Sequence, residues 1–249
     1  MSAPRPPFAT RMGLRLLAIM ILIGEALIRA TSRFGNQPYI DAREFPWTQQ
    51  LEQSWDAISA ELDGLLTEPD SIPDFHEISP EQRVLGIDDQ WKSFVFFVFG
   101  TPIQSNCAVC PETAALLKQI PGLGNAMFSI LGPNRSIPEH RGPYKGLLRY
   151  HLGLRIPTGQ DKLAITVNGV EHGWRDRETL ILDDSYPHSV RNDSSATRVI
   201  LFADFERPLL WPVSLYNRLV IALLKRTPLA QEPIARLNGD ISGKRSTRA

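Results

Sequence analysis

Short strand-like stretches between residues 93 and 205 decide most of what this chain can fold into. SFVFFVF (93–99), AMFSIL (126–131), GLLRYHLGLRI (146–156), KLAITV (162–167), ETLIL (178–182) and TRVILFADF (197–205) are rich in β-branched and aromatic residues. Gly, Pro, Asn and Asp turns separate them, which is strand and turn chemistry. No helical period intervenes among the later ones, so parallel βαβ units are excluded. The pattern predicts a mainly β, double-stranded β-helix (jelly-roll) core with flanking N- and C-terminal helices.

The flanks differ in kind. Residues 41–66 have helical spacing, with Leu51, Trp55, Ile58 and Leu62 on one face. Residues 67–82 are acidic and Pro-rich and are expected to form a loop or lid, with His76 solvated. LLAIMILIG (16–24) lies between Arg15 and Glu25 and falls short of the roughly 20 apolar residues that a bilayer span needs. It is expected to lie on a membrane surface; a secretory signal or a core helix are the competing readings. LYNRLVIALLKR (215–226) repeats the theme, and Lys244, Arg245 and Arg248 add a basic tail. Two such ends suit an anionic membrane surface. The expected division is therefore a membrane-associating segment at 1–32, helices and loop at 33–90, the jelly roll at 91–210, and an amphipathic helix with a basic tail at 211–249.

Charge narrows the partners. Lys plus Arg (27) equals Asp plus Glu (27), so no field argues for nucleic acid. Cys107 and Cys110 form one C-x-x-C followed by PETAALLKQI. That reads as a helix entrance with Pro at the first position; a redox pair or half a zinc site is the alternative.

The chemistry gathers around EHRGPYKGLLRYHLGLRIP (139–157). Leu148, Tyr150, Leu152, Leu154 and Ile156 alternate onto one face, and Arg149, His151 and Arg155 onto the other. Arg149 and His151 therefore project together. His140 sits in a loop-like segment between prolines, in an H-x-G where an iron-binding strand usually has H-x-D or H-x-E. His188 follows the LDDSYP turn, and Arg198 opens an apolar strand ten residues later. Two histidines separated by strands, then an arginine, is the order of an iron site with a carboxylate-binding cation. His172 reads as a surface residue and Trp174 as core. Asp183 and Asp184 read as turn caps, with support of His188 as the alternative.

HRGPYKGLLRYHLGLRIP, Trp174, DDSYPHSVRN and SSATRVILFADFERP together resemble the aspartyl/asparaginyl β-hydroxylase family of 2-oxoglutarate dioxygenases, over roughly residues 90–210. FSILGPNRSIPEHRGPYKG, CPET, FERP and the apolar ends look most like its bacterial branch acting on lipid A or ornithine-lipid acyl chains. The resemblance implies Fe(II), 2-oxoglutarate and O₂, with His140 and His188 as iron ligands. Gly142 would replace the usual carboxylate and leave room for water. Arg198 and Ser129 would bind the distal carboxylate of 2-oxoglutarate, and Arg149 with His151 the iron-chelating end. His140, His188 and Arg198 are the expected catalytic set. The implied substrate is a membrane lipid, with the enzyme on the cytoplasmic side of a bacterial inner membrane. A peptide or free amino acid substrate, or a non-catalytic lipid-binding protein, are the alternatives.

Overall fold

Alternation of inward and outward side chains sorts the strands into two facing antiparallel sheets. The computed structural model describes residues 8–79, 90–158 and 162–239, with side chains from residue 12 onward. Arg5, residues 80–82 of the acidic stretch, and the Lys244, Arg245 and Arg248 tail lie outside the described residues.

In chain order the elements begin with α1 (Phe8–Thr31), β1 (Tyr39–Ile40), α2 (Thr48–Gln53), α3 (Trp55–Leu66) and α4 (Phe75–Ile78). Next come β2 (Trp91–Val98), β3 (Thr101–Pro102), α5 (Gln104–Val109) and α6 (Pro111–Leu117). The strands β4 (Leu123–Leu131), β5 (Arg135–His140), β6 (Leu147–Arg155), β7 (Leu163–Val167) and β8 (Val170–His172) follow. The chain continues through β9 (Thr179–Leu182), β10 (His188–Asn192), β11 (Arg198–Glu206), α7 (Val213–Leu224) and α8 (Pro228–Asn238). One sheet has seven strands in the order β1-β9-β6-β11-β4-β2-β3, and the other has four in the order β5-β10-β7-β8.

Each face of the large sheet has its own core. Leu148, Tyr150, Leu152 and Leu154 of β6 pack with Leu51, Ile58 and Leu62 from α2 and α3 behind the sheet. Between the sheets, Leu131, Leu182 and Ile200 meet Ile165, Val167 and Val190. Trp55 donates from its indole N–H to the Gly153 carbonyl at 2.7 Å. A side chain on Gly153 would strike the Arg175 carbonyl, whose oxygen lies 2.0 Å from the Cβ position, so close backbone approach requires that glycine.

The expected strands form, with ends shifted by a few residues. Residues 41–66 are not one helix: Ser54 separates α2 from α3. The stretch expected as an acidic loop contains α4, whose Asp74 and Glu77 make a reciprocal capping box. His76 is half-buried there rather than solvated. The C-x-x-C does sit at a helix entrance. Cys107 and Cys110 are both buried and form no disulfide with each other, and burial raises the Cys107 thiol.

α1 runs well beyond the apolar stretch read from the sequence and packs on α7. The Tyr216 hydroxyl donates to the Met20 carbonyl at 2.9 Å, and Ile28 is fully buried. Its other face stays open, with Leu16 56%, Ile19 52% and Leu22 66% exposed. Among the described residues no helix is long and apolar enough to cross a membrane.

Candidate active site

Register brings the two histidines together. β5 and β10 pair antiparallel with His188 directly opposite His140, and their rings lie 4.1 Å apart between centroids. His140 Nδ1 is 2.8 Å from the Pro138 carbonyl and His188 Nδ1 is 3.0 Å from the Tyr186 carbonyl. A carbonyl only accepts, so each Nδ1 carries the proton and each Nε2 keeps a lone pair. Burial lowers the proton affinity of both rings, with the Arg149 cation adding to it. His188 falls to about 3. Two neutral imidazoles with unprotonated Nε2 atoms suit a divalent metal, and the carbonyls behind them fix the tautomer. Among the described residues no third His, Cys, Asp or Glu completes a metal cluster with them.

The inner face of the large sheet supplies the rest. Arg149, His151, Asp204, Arg198 and Ser129 line the same cavity as the histidines, about 310 Å³ in volume. Arg149 is held from two sides, 2.7 Å from Asp184 and 3.0 Å from Asp204. Its Nη1 donates to His188 Nε2 at 3.3 Å. The Trp174 indole N–H donates to His151 Nδ1 at 3.2 Å, which leaves the His151 proton on Nε2 as a donor. Burial, with Arg149, Arg198 and His188 nearby, keeps that ring neutral.

Arg198 is the outlier. It is 1% exposed, its guanidinium carbon lies 5.1 Å from the Trp174 ring centroid, and its Nε and Nη1 have no hydrogen-bond partner among the described residues. Burial alone pulls it down to about 9, which expresses a cation buried without an anion. Ser129, on the neighbouring strand, accepts from the Trp91 indole at 3.1 Å and keeps its hydroxyl hydrogen to donate. Cation and hydroxyl together can receive a carboxylate.

Gly142 packs against Asp184. A Cβ there would lie 2.0 Å from Asp184 Oδ2, so the Asp184 carboxyl group occupies the space beside it. Burial raises Asp184 to about 7 against the pull of Arg149. Asp183 is the turn cap: it accepts from Ser185 N and Oγ and binds Lys145 and Arg207, each at 2.5 Å. His172 is exposed, as expected. Trp174 is buried, but through His151 and Arg198 it also belongs to the site. Asp204 and Trp91 carried no motif of their own in the sequence; only the cross-strand register reveals them.

Residues 52–208 match the family profile described as Aspartyl/Asparaginyl beta-hydroxylase. The chain belongs to the aspartyl/asparaginyl beta-hydroxylase family. It is 39% identical over 228 residues to an ornithine lipid ester-linked acyl 2-hydroxylase of Rhizobium tropici, covering 92% of this chain and 80% of that one. The mouse aspartyl/asparaginyl beta-hydroxylase is 31% identical over 184 residues, covering 71% of this chain but 24% of its own length. Among solved structures, the Schizosaccharomyces pombe Cnp3 cupin domain aligns at 13% identity and TM-score 0.33, over 48% of this chain and 66% of that one. The jelly-roll assignment rests on the two sheets themselves. The family match takes in every site residue named above, and β-hydroxylase membership makes the protein an enzyme of the hydroxylase class.

Proposed function

We propose that the protein is an Fe(II)- and 2-oxoglutarate-dependent hydroxylase acting on an acyl chain of a membrane lipid of the ornithine-lipid type, at the carbon beside the carbonyl. The observation that carries the cofactor reading is Arg198, a buried guanidinium with no anion against it among the described residues, lining the same cavity as two neutral imidazoles. The acyl reading is supported by similarity to the Rhizobium tropici enzyme along most of both chains. Lipid A is a second substrate of the same acyl class.

The residues present fit the absent groups. His140 and His188 would hold the metal through Nε2. Arg198 and Ser129 would take the distal carboxylate of 2-oxoglutarate, and the His151 Nε2–H and Arg149 its keto-acid end. An entering dication and dicarboxylate cancel each other's charge, so the two can be buried together. When bound, iron with 2-oxoglutarate and O₂ supplies the power to oxidise an unactivated C–H bond, with release of succinate and CO₂. The chain's own part is to orient these groups and keep water away. His151, neutral and donating, stabilises an oxyanion without competing for it as a base. Arg149, clamped by two aspartates, presents its guanidinium in one orientation.

The open apolar faces of α1 and α7 would seat the enzyme on an anionic membrane surface, on the side where Fe(II) and 2-oxoglutarate are supplied. The test of the site is anaerobic binding. Wild-type protein with Fe(II) and 2-oxoglutarate should develop a visible charge-transfer band. His140→Ala and His188→Ala should each lose the band and iron binding, by tenfold or more. Full retention of iron in both variants would remove the ligand assignment.

A further inference from the structure

One apolar arm of the cavity wall is made by Ile78 of α4, Val98 and Phe99 at the end of β2, Met127 of β4, and Leu229 and Pro233 of α8, with Ser79 beside Ile78. None of the six is among the residues assigned above to metal or cosubstrate. All six are apolar. The adjoining Asn125 has its amide groups committed, accepting from the Phe99 N–H at 3.0 Å and donating to Asp204 at 3.0 Å. A peptide laid here would find nothing among these six side chains for its backbone N–H and C=O groups. A hydrocarbon chain needs nothing.

Phe99 is the unusual member. Val98 pairs with Thr101, so Phe99 and Gly100 form a two-residue hairpin turn, with φ of 46° and 73°. Positive φ at both positions defines a type I′ turn, where Asn-Gly is the favoured pair. A bulky aromatic there is an unfavourable choice for the turn. Its ring is nevertheless buried, 7% exposed, against the arm. The same backbone is registered to the metal-facing end through hydrogen bonds: Phe99 N–H to Asn125, Asn125 to Asp204, and Arg149 to both Asp204 and His188. A strained residue is thus held at a fixed position relative to the oxidising centre.

The arm also connects to the open helices. Ile78, Val98, Phe99 and Met127 belong to one apolar cluster with Ile28 of α1 and Val220 and Leu224 of α7. Those are the helices whose outer faces expose Ile19, Leu22, Leu215 and Leu219. Leu229 and Pro233 lie beyond the residues 52–208 that match the family profile, so the α8 part of this wall lies outside that matched region.

We propose that this arm is the subsite for the substrate's acyl chain, and that Phe99 sets the length and width of chain it admits. The proposal rests on the hydroxylase reading above. Its test uses the full chain in two states. Metal-free protein is titrated with a fluorescent polyene fatty acid, and the loaded enzyme is given ornithine lipids of graded acyl length. Leu229→Trp, which fills the arm, should weaken fatty-acid binding about tenfold. Phe99→Leu keeps the arm apolar while removing the ring, so the variant should stay folded while the preferred acyl length moves to longer chains. If folded variants bind the probe like wild type and keep the wild-type length profile, the subsite is wrong while the hydroxylase reading stands. If wild type oxidises no lipid but still binds the probe in a Leu229-dependent way, the subsite stands and the hydroxylase reading falls.

Discussion

The residue that most separates function from folding is Arg198. A buried guanidinium without a counter-ion destabilises the fold, because its lost hydration is not repaid. Arg198→Met keeps the stem and removes the charge. The metal-free variant should therefore melt higher than wild type, by a few degrees, while losing 2-oxoglutarate binding. A lower Tm would mean that the cation has an internal partner and is structural. The histidines make a second prediction. His140, His151 and His188 are all held neutral, so the folded state refuses protons that the unfolded chain accepts below about pH 6.5. Unfolding then takes up protons, and stability of the metal-free protein falls as pH drops from 6.5 toward 4. Asp184, raised to about 7, works in the opposite sense, since the fold holds its proton where the unfolded chain has released it. Three imidazoles outweigh one carboxyl. Urea midpoints at pH 7 and 5 measure the net effect, and an equal or higher midpoint at pH 5 would contradict it.

At the scale of elements, the open faces of α1 and α7 carry a prediction of their own. Leu16→Glu with Ile19→Glu touches exposed positions, so folding should persist while binding to vesicles containing anionic lipid drops about tenfold. Unchanged flotation with such vesicles would remove those faces as the membrane contact. Legibility in the sequence also varied by element. The β6 alternation was plain, because Leu148 to Leu154 are apolar on one face and Arg149 and His151 polar on the other. β5 and β10, which carry His140 and His188, did not read as strands. β5 holds Pro138 and three charged or titratable residues, a composition tolerated because it is an edge strand. β10 is short, and four of its five residues are polar. α8 was hidden by Pro228 and Pro233, although Pro at the first turn is a helix start. Its contribution to the cavity was therefore out of reach of the sequence pattern.

For the whole molecule, what the sequence could not supply was which polar groups face one another across strands. His140 and Arg198 were legible as a motif in order along the chain. That Asp204 and Asp184 fix Arg149, that Trp174 sets the His151 tautomer, and that Asp184 fills the space beside Gly142 follow only from sheet register. The assembly these contacts make is a pair of facing sheets around a cavity lined by His140, His188, Arg149 and Arg198. The most direct test of that account is to incubate the purified protein with ornithine lipid, Fe(II), 2-oxoglutarate and isotopically labelled O₂, and to weigh both products. The account predicts lipid heavier by one labelled oxygen on the ester-linked acyl chain, with one succinate released per lipid oxidised. Unaltered lipid and no lipid-dependent succinate, from protein that binds Fe(II) and 2-oxoglutarate normally, would contradict it.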